Sequence, residues 1–327
     1  MAGIKRKVFY LPGFDPRGAR FYYGTYKEQA GRYGALTGHP LAVSPRIRND
    51  APEVRWTVAN PAEDVDTDYS VLSWDDIIRR VWVSNPATLL TRTARTYWNY
   101  ARRTDWPRVL KLPRAPLITL FYPVLSTVLV PILFFLVAWG IAAPFLSAGK
   151  AALVALIPAL ALSAVLIHRI KSFWLLRFFI FNNELTYDRS DPEIALRLRA
   201  FAAMVARSFD EDWDEILLVA HSNGSILAVP LMAEIGRIAG RDLPDRFALV
   251  TLGQCLPLFS HHRDAHDYRA TLGQVSAMRF RWVDIAYPPD GACYSKVPPF
   301  APLPGEPAAR LTQLSPQFFR YWSKEAY

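Results

Sequence analysis

Asp214-Glu215-Ile216-Leu217-Leu218-Val219-Ala220-His221-Ser222-Asn223-Gly224-Ser225 is the stretch from which the architecture of this chain unfolds. The apolar run up to Ala220 has the length and aliphatic content of a buried strand. His221 to Ser225 reads as a sharp turn, and Ile226 to about Ala239 as an amphipathic helix with Gly240 as its stop. A strand that turns straight into a helix crowds the two backbones together. Ala220 and Gly224, two residues before and after Ser222, are small enough to permit that crowding, which leaves Ser222 at the apex of the turn.

Working outward, the same alternation recurs. Lys7–Leu11 reads as a buried strand ended by Pro12-Gly13, Arg20 to Leu36 as a helix, and Val54–Ala59 and Tyr69–Trp74 as further strands. Asp75-Asp76 is expected to cap a short helix. Ser190-Asp191-Pro192-Glu193 opens another that runs to about Phe209, with proline early and acids in its first turn. Phe247–Leu252 and Phe280–Ala286 are strands around a helix at Ala265–Met278; Val297–Pro307 is a proline-rich loop; Ser315–Tyr327 reads as a terminal helix. Strands alternating with helices imply an α/β fold, a mainly parallel sheet with helices on both faces.

The 327 residues carry 51% hydrophobic and 20% charged side chains, which excludes a disordered chain. Two cysteines, Cys255 and Cys293, have no zinc-type spacing and fit a reducing compartment. The net charge of +9 is not spread evenly. Eleven basic residues lie between Arg92 and Arg177 against Asp105 alone, so this segment holds +10 and the rest of the chain −1. Inside it, Ala115–Gly149 has 35 residues without a formal charge, and Ala151–Ile167 adds seventeen more after Lys150. Basic residues bracketing long apolar runs mark a membrane segment, not a nucleic-acid surface.

Two spans are expected, about 116–140 and 151–168, joined by a tight turn. Both outer ends then lie on the cytoplasmic side of an inner membrane, and strands on either side of the hairpin can join one sheet. Tyr97, Trp98, Tyr100, Trp106, Phe173, Trp174, Phe178 and Phe179 are expected to form an aromatic belt, and Lys171–Asn182 an amphipathic segment along the interface. The chain thus divides into residues 1–91, a membrane insertion over 92–189, and residues 190–327. The N-terminus lacks the apolar stretch and cleavage site of a signal peptide.

Ala220-His221-Ser222-Asn223-Gly224 resembles the G-x-S-x-G nucleophile elbow of the α/β-hydrolase superfamily, the lipase- and esterase-like serine hydrolases, in the strand-turn-helix setting that motif requires. Ala220 stands in place of the first glycine. The resemblance covers roughly residues 5–75 and 190–295, with the hairpin as an insertion, and is nearest to membrane-associated bacterial members. It implies Ser222 as nucleophile and the amide of Asn223 as one oxyanion donor. Leu11-Pro12-Gly13-Phe14-Asp15 resembles the loop that supplies the second donor, here the amide of Phe14. His221 is implied as a structural neighbour. The open alternative is a strand-to-helix turn of another α/β fold, with Ser222 capping its helix. For the acid, Asp290 beyond the last strand is favoured over Asp284 within it.

The base is missing from its expected place. In the hydrolase order it follows the acid, and no histidine occurs after His266. Relatives would continue to another strand and a histidine, so a longer natural chain is one expectation. His261-His262-Arg263-Asp264-Ala265-His266 is read as the polar start of a helix, without a second ligand set for a metal. No GxGxxG or Walker pattern is present, so no nucleotide cofactor is expected. The implied activity is a membrane-anchored hydrolysis of acyl esters, with lipid as the natural substrate class. Acyl transfer to an alcohol through the same elbow, and an inactive membrane-tethered scaffold, stay open beside it.

Overall fold

A computed structural model of the chain describes residues 3–48, 52–187 and 191–317. Its elements in chain order are β1 (Ile4–Leu11), α1 (Ala19–Thr37), β2 (Ala42–Val43), β3 (Ile47–Arg48), β4 (Glu53–Asn60), β5 (Val65–Leu72), α2 (Asp75–Arg80) and α3 (Pro86–Arg103). Then follow α4 (Trp106–Val109), α5 (Ala115–Ala142), α6 (Ala148–Arg169), α7 (Ser172–Tyr187) and α8 (Pro192–Arg207). The last third holds β6 (Glu215–His221), α9 (Asn223–Ala239), β7 (Phe247–Leu252), α10 (Pro257–Ser260), α11 (His266–Ser276), β8 (Arg281–Ile285) and β9 (Arg310–Leu314). The chain forms two compact units: Met1–Val81 with Arg103–Pro113 and Thr186–Tyr327, and Trp82–Arg102 with Arg114–Leu185.

The first unit is built on a mixed, mostly parallel sheet in the order β2-β4-β5-β1-β6-β7-β8-β9, with β3 also pairing β4. β1 pairs in parallel with β5 and β6, and the parallel run continues through β7 and β8 to β9. β4 is antiparallel to β5. Only residues 61–64 join those two strands, too few for the crossover a parallel pair needs. From β1 the chain moves to one side of the sheet, and from β6 it walks to the other. The strand order therefore reverses between β1 and β6, which opens a crevice at their carboxyl ends.

Helices cover both faces, as the period-2 alternation of the strands dictates. On one face α1 lies over Trp56, Val54 and Val71, with Tyr10, Tyr26 and Tyr69 packed around them. Trp56 stacks on Tyr69 with ring centroids 4.7 Å apart. On the other, Leu11 meets Trp74 and Ile77, Ile194, Leu198 and Phe201 of α8, and Leu227 of α9. Asp191 caps α8 by accepting from the Glu193 amide at 3.0 Å, with Pro192 in the first turn; Ser190 lies outside the described residues. Asp75 and Asp76 sit in the first turn of α2 and Trp74 holds its cap position.

The carboxyl-terminal reading needs correction. Arg310–Leu314 is a strand, β9, and Ser315–Gln317 are not helical; residues 318–327 lie outside the described residues. Five residues with a single β-branched side chain carry little strand signal. The free edge of β8 supplies the backbone partners that turn them into one.

Within the second unit, α5 and α6 are the helices long and apolar enough to cross a membrane, with mean hydropathies of 2.4 and 2.3 over their most apolar windows. At 1.5 Å per residue their 28 and 22 residues extend about 42 and 33 Å. α5 runs unbroken through Pro123 and Pro131, and α6 through Pro158. The hydroxyls of Ser126 and Thr127 donate to the Pro123 and Val124 carbonyls, as membrane helices often do beside proline. Ala151, Ala155, Ala159, Ser163 and Ile167, four apart, form the buried stripe of α6. Small residues at that spacing let two helices approach closely. Other side chains face outward: Leu153 is 72% exposed and Ile157 76%.

Two expectations about the membrane flanks do not hold. α7 is buried over Leu175, Leu176 and Phe178–Asn183, so it is not an amphipathic strip along an interface. Leu176 and Ile180 pack with Val83 and Leu89. Of the expected aromatic belt, Tyr100, Phe178 and Phe179 are buried instead, with Tyr97, Tyr100 and Phe179 in edge-on contact. Trp98 is exposed.

The histidine cluster also has a structural explanation. Arg103–Pro113 belongs to the sheet unit, where the Asp105 amide donates to the His261 carbonyl at 3.0 Å and the Arg263 amide to the Arg103 carbonyl at 2.7 Å. His262 bridges Thr104 and is 2% exposed. Burial lowers its pKa to about 4. An unfolded histidine binds its proton near pH 6.5, so the unfolded state takes up more protons between pH 6.5 and 4. Folding stability should fall as pH drops through that window, by up to roughly 3 kcal/mol from this group. Denaturation of wild type and His262→Gln at pH 7 and pH 4.5 checks it; an acid loss of equal size in both would sink the assignment.

Candidate active site

Ser222 is the single residue between β6 and α9, and its backbone has φ 52° and ψ −121°. That left-handed φ is rare for a residue with a side chain and costs on the order of 1–3 kcal/mol. The surroundings hold it there. The Ser222 amide donates to the Leu252 carbonyl at 2.9 Å, tying the apex to the end of β7. Its carbonyl accepts from the Ser225 amide at 2.9 Å and the Ser225 hydroxyl at 2.6 Å.

The crowding expected from Ala220 and Gly224 is present. Ala220 is fully buried. A methyl group added at Gly224 would sit 2.4 Å from the Leu11 carbonyl oxygen and 2.8 Å from that of Pro12. One added at Gly13 would sit 3.2 Å from the Ser222 Cβ and 3.5 Å from the Asn223 nitrogen. The loop after β1 is thus pressed against the elbow, and the Trp74 indole pins it by donating to the Pro12 carbonyl at 3.0 Å. Phe14, the next residue along, is buried. Asn223 occupies the first helical position, where a backbone N–H has no acceptor within its own helix. The Asn223 side chain is fully buried, and neither its oxygen nor its nitrogen has a partner among the described residues.

The two aspartates six residues apart occupy different environments. Asp284 is 1% exposed and accepts from Thr251 Oγ1 at 2.8 Å and Gln313 Nε2 at 3.1 Å. It ties β7, β8 and β9 together inside the sheet, and burial pushes its carboxyl above the usual range. Asp290 lies beyond β8 in the exposed turn after Tyr287, where its amide donates to the Tyr287 carbonyl and its Oδ1 accepts from the Ala292 amide, both at 2.9 Å. Gly253, at the end of β7 with φ 62°, leaves room for it: an added methyl there would be 3.5 Å from Asp290 Oδ2.

His221 ends β6 with its ring stacked on Tyr10, centroids 6.4 Å apart. Desolvation by its surroundings holds it below the usual histidine range, although its edge is exposed; the carboxylates of Asp290 and Asp15 pull the other way. Sequence reasoning missed this company. Asp15 accepts from Arg17 Nε and Nη2 and from the Tyr22 hydroxyl at 3.2 Å. Its carboxyl lies below the usual range: desolvation, which alone would raise it, is outweighed by the hydrogen bonds and charge of Arg17. Asp15-Pro16-Arg17, directly after the loop that follows β1, was the available signal, and Arg17 pairs with Asp15. Of the remaining histidines, His261 bonds to Ser260 and His266 to Arg269, while His39 follows α1 and His168 lies in α6. No group of three or more histidine, cysteine or acidic side chains that could hold a metal occurs among the described residues.

Two substitutions test the elbow. Ser222→Gly should be more stable than Ser222→Ala by about 1 kcal/mol, because glycine alone adopts this φ without strain. Gly224→Ala should lose about 2 kcal/mol, since its methyl meets backbone rather than a yielding side chain. Urea denaturation of the purified variants measures both, and equal stabilities for the two Ser222 variants would contradict the strain. Comparison of the chain with protein-family models, with curated proteins and with solved structures gives no match.

Proposed function

We propose that the chain is a membrane-anchored serine hydrolase of the α/β-hydrolase type, acting on acyl esters through Ser222. The observation that carries the reading is the strained Ser222 backbone at a strand-to-helix junction, with the loop of Gly13 and Phe14 packed against it. Strain of this kind at a crevice is retained where it aims a reactive group. The Ser222 hydroxyl attacks the ester carbonyl and gives up its proton to a base. The amides of Phe14 and Asn223 hold the oxyanion that forms. The alkoxide leaves with a proton, and water then releases the acid. Asp290, at the same edge of the sheet, is the proposed acidic member. α5 and α6 span the membrane in this reading, as a hairpin whose exposed leucines and isoleucines face lipid. The sheet unit is then cytoplasmic, and lipid esters are the substrates at hand.

One observation favours a second reading. The position after β9, where this arrangement carries its base, begins Ser315-Pro316-Gln317, and no histidine follows His266. A hydrolase-like domain without turnover would then serve as a membrane-tethered binding protein. A fluorophosphonate probe applied to membranes containing the full chain separates the two. Labelling of wild type, lost in Ser222→Ala and slowed at least about tenfold in Asp290→Asn, is the expected result. Folded wild type that takes up no probe rejects catalysis, and His221→Gln shows whether that neighbour supplies the base. Labelled protein incubated with an acyl ester and a competing alcohol then distinguishes hydrolysis from acyl transfer by its product.

A further inference from the structure

α3 carries its side chains the wrong way round for a helix in water. Its buried side is Leu89, Thr93, Thr96 and Tyr100. Leu90 and Trp98 face outward instead, at 71% and 62% exposure. Burial ordinarily sorts leucine and tryptophan inward and threonine outward. At 3.6 residues per turn, Leu90, Ala101, Ala94, Ala87 and Trp98 fall within an arc of about 80°, and all five are exposed. Beyond Trp98 the arc is bordered by Thr91, Arg102 and Arg95; beyond Leu90 it is bordered by Tyr97. The Arg102 guanidinium lies over the Trp98 ring, 5.1 Å from its centroid.

This helix is fixed to the apolar hairpin. α3, α5, α6 and α7 belong to one compact unit, which holds Trp82–Arg102 and Arg114–Leu185. The Tyr97 hydroxyl donates to the Leu120 carbonyl at 2.6 Å, a point about 8 Å from the start of α5. The Tyr122 hydroxyl donates to the Ile170 carbonyl at 3.0 Å, which brings the end of α6 to the same level. On its buried side Leu89 packs with Leu176 and Ile180 of α7, and Asn99 Nδ2 donates to Asn183 Oδ1 at 3.2 Å. The apolar arc of α3 thus adjoins α5 at its Tyr97 border, and the arginines form the opposite border.

Charge selects the occupant of that face. The unit holds eight basic residues against Glu184 as its one acid. Glu184 lies 3.5 Å from Arg92, and Arg95 and Arg102 make no ion pair among the described residues. Arg114, Arg169 and Lys171 stand at the same end of the hairpin, before α5 and at the end of α6. An outward strip of leucine, alanine and tryptophan edged by arginine is the composition of a helix lying in the surface of an anionic bilayer. A free anion would not cover the strip, and a neutral bilayer would leave the guanidiniums unmatched.

We infer that α3 lies in the headgroup region of the membrane, with Leu90 and Trp98 in its apolar edge and Arg95 and Arg102 among anionic lipid headgroups. The inference rests on the spans proposed for α5 and α6, and not on the chemistry of Ser222. Full-length protein is reconstituted into vesicles of phosphatidylcholine mixed with phosphatidylglycerol, and nitroxides are placed one at a time at Leu90→Cys, Ala94→Cys and Leu133→Cys. The native cysteines are buried, so unsubstituted protein is the labelling control. Collision with oxygen and with a water-soluble nickel chelate then reports depth. Leu133, outward on α5, reads the span, and the two α3 sites read the proposed surface. All three should favour oxygen, Leu133 the most. Oxygen at Leu133 with the chelate at both α3 sites overturns the proposal and leaves the spans standing. The chelate at Leu133 overturns both.

Lipid preference is the second readout. Spin-labelled phosphatidylglycerol should associate with the protein at least about threefold more strongly than spin-labelled phosphatidylcholine. In Arg95→Gln/Arg102→Gln, with Leu133 still in lipid, that preference should fall at least about twofold. A preference that survives loss of both arginines, or equal association of the two lipids with wild type, rejects the anionic partner.

Discussion

The close approach of two backbones, the end of β1 and the start of α9, is the constraint on which the rest of the site depends. Gly224 lies against the Leu11 and Pro12 carbonyls, and Gly13 against Ser222. A side chain at either glycine would drive the segments apart, and with them the amides of Phe14 and Asn223. The separation is maintained from three directions: Trp74 holds Pro12, the end of β7 holds the Ser222 amide, and Ser225 holds its carbonyl. Each is an ordinary hydrogen bond worth about 1 kcal/mol net. Together they are of the size needed to keep one residue in a costly conformation.

The same sheet places two similar aspartates in different surroundings. Asp284 is enclosed by strands on both sides and answered by Thr251 and Gln313, so it serves the cohesion of β7, β8 and β9. The Trp282 indole joins that network by donating to Thr251 Oγ1 at 3.0 Å. Asp290 lies outside the sheet, beside a glycine that makes space for its carboxylate. A buried carboxyl whose charged form is disfavoured is poorly placed to orient a base.

The helical unit turns rows of apolar side chains outward. In water, outward rows of leucine and isoleucine along α5 and α6 would form an apolar surface far larger than soluble monomers expose. In the membrane reading proposed above the same rows would cost nothing, and close packing over small residues would be the means of holding two helices together. The alanine stripe of α6 and the outward leucines are two sides of one pattern.

Much of this was legible in the residues. The elbow could be read because its demands are local: a short apolar strand, small residues two places either side of Ser222, and an amphipathic helix directly after. The apolar runs of α5 and α6 could be read because length and apolarity are properties of consecutive residues. What depended on distant partners could not be. β9 is a strand because β8 offers it an edge; α7 is buried because Val83 and Leu89 come back to cover it. The antiparallel turn of β4 onto β5 and the sorting of Asp284 from Asp290 were likewise decided in three dimensions. Periodicity reports what each segment does with its own faces. Which faces meet is set by the folded chain, because burial and charge pairing join residues that the sequence holds tens to hundreds of positions apart.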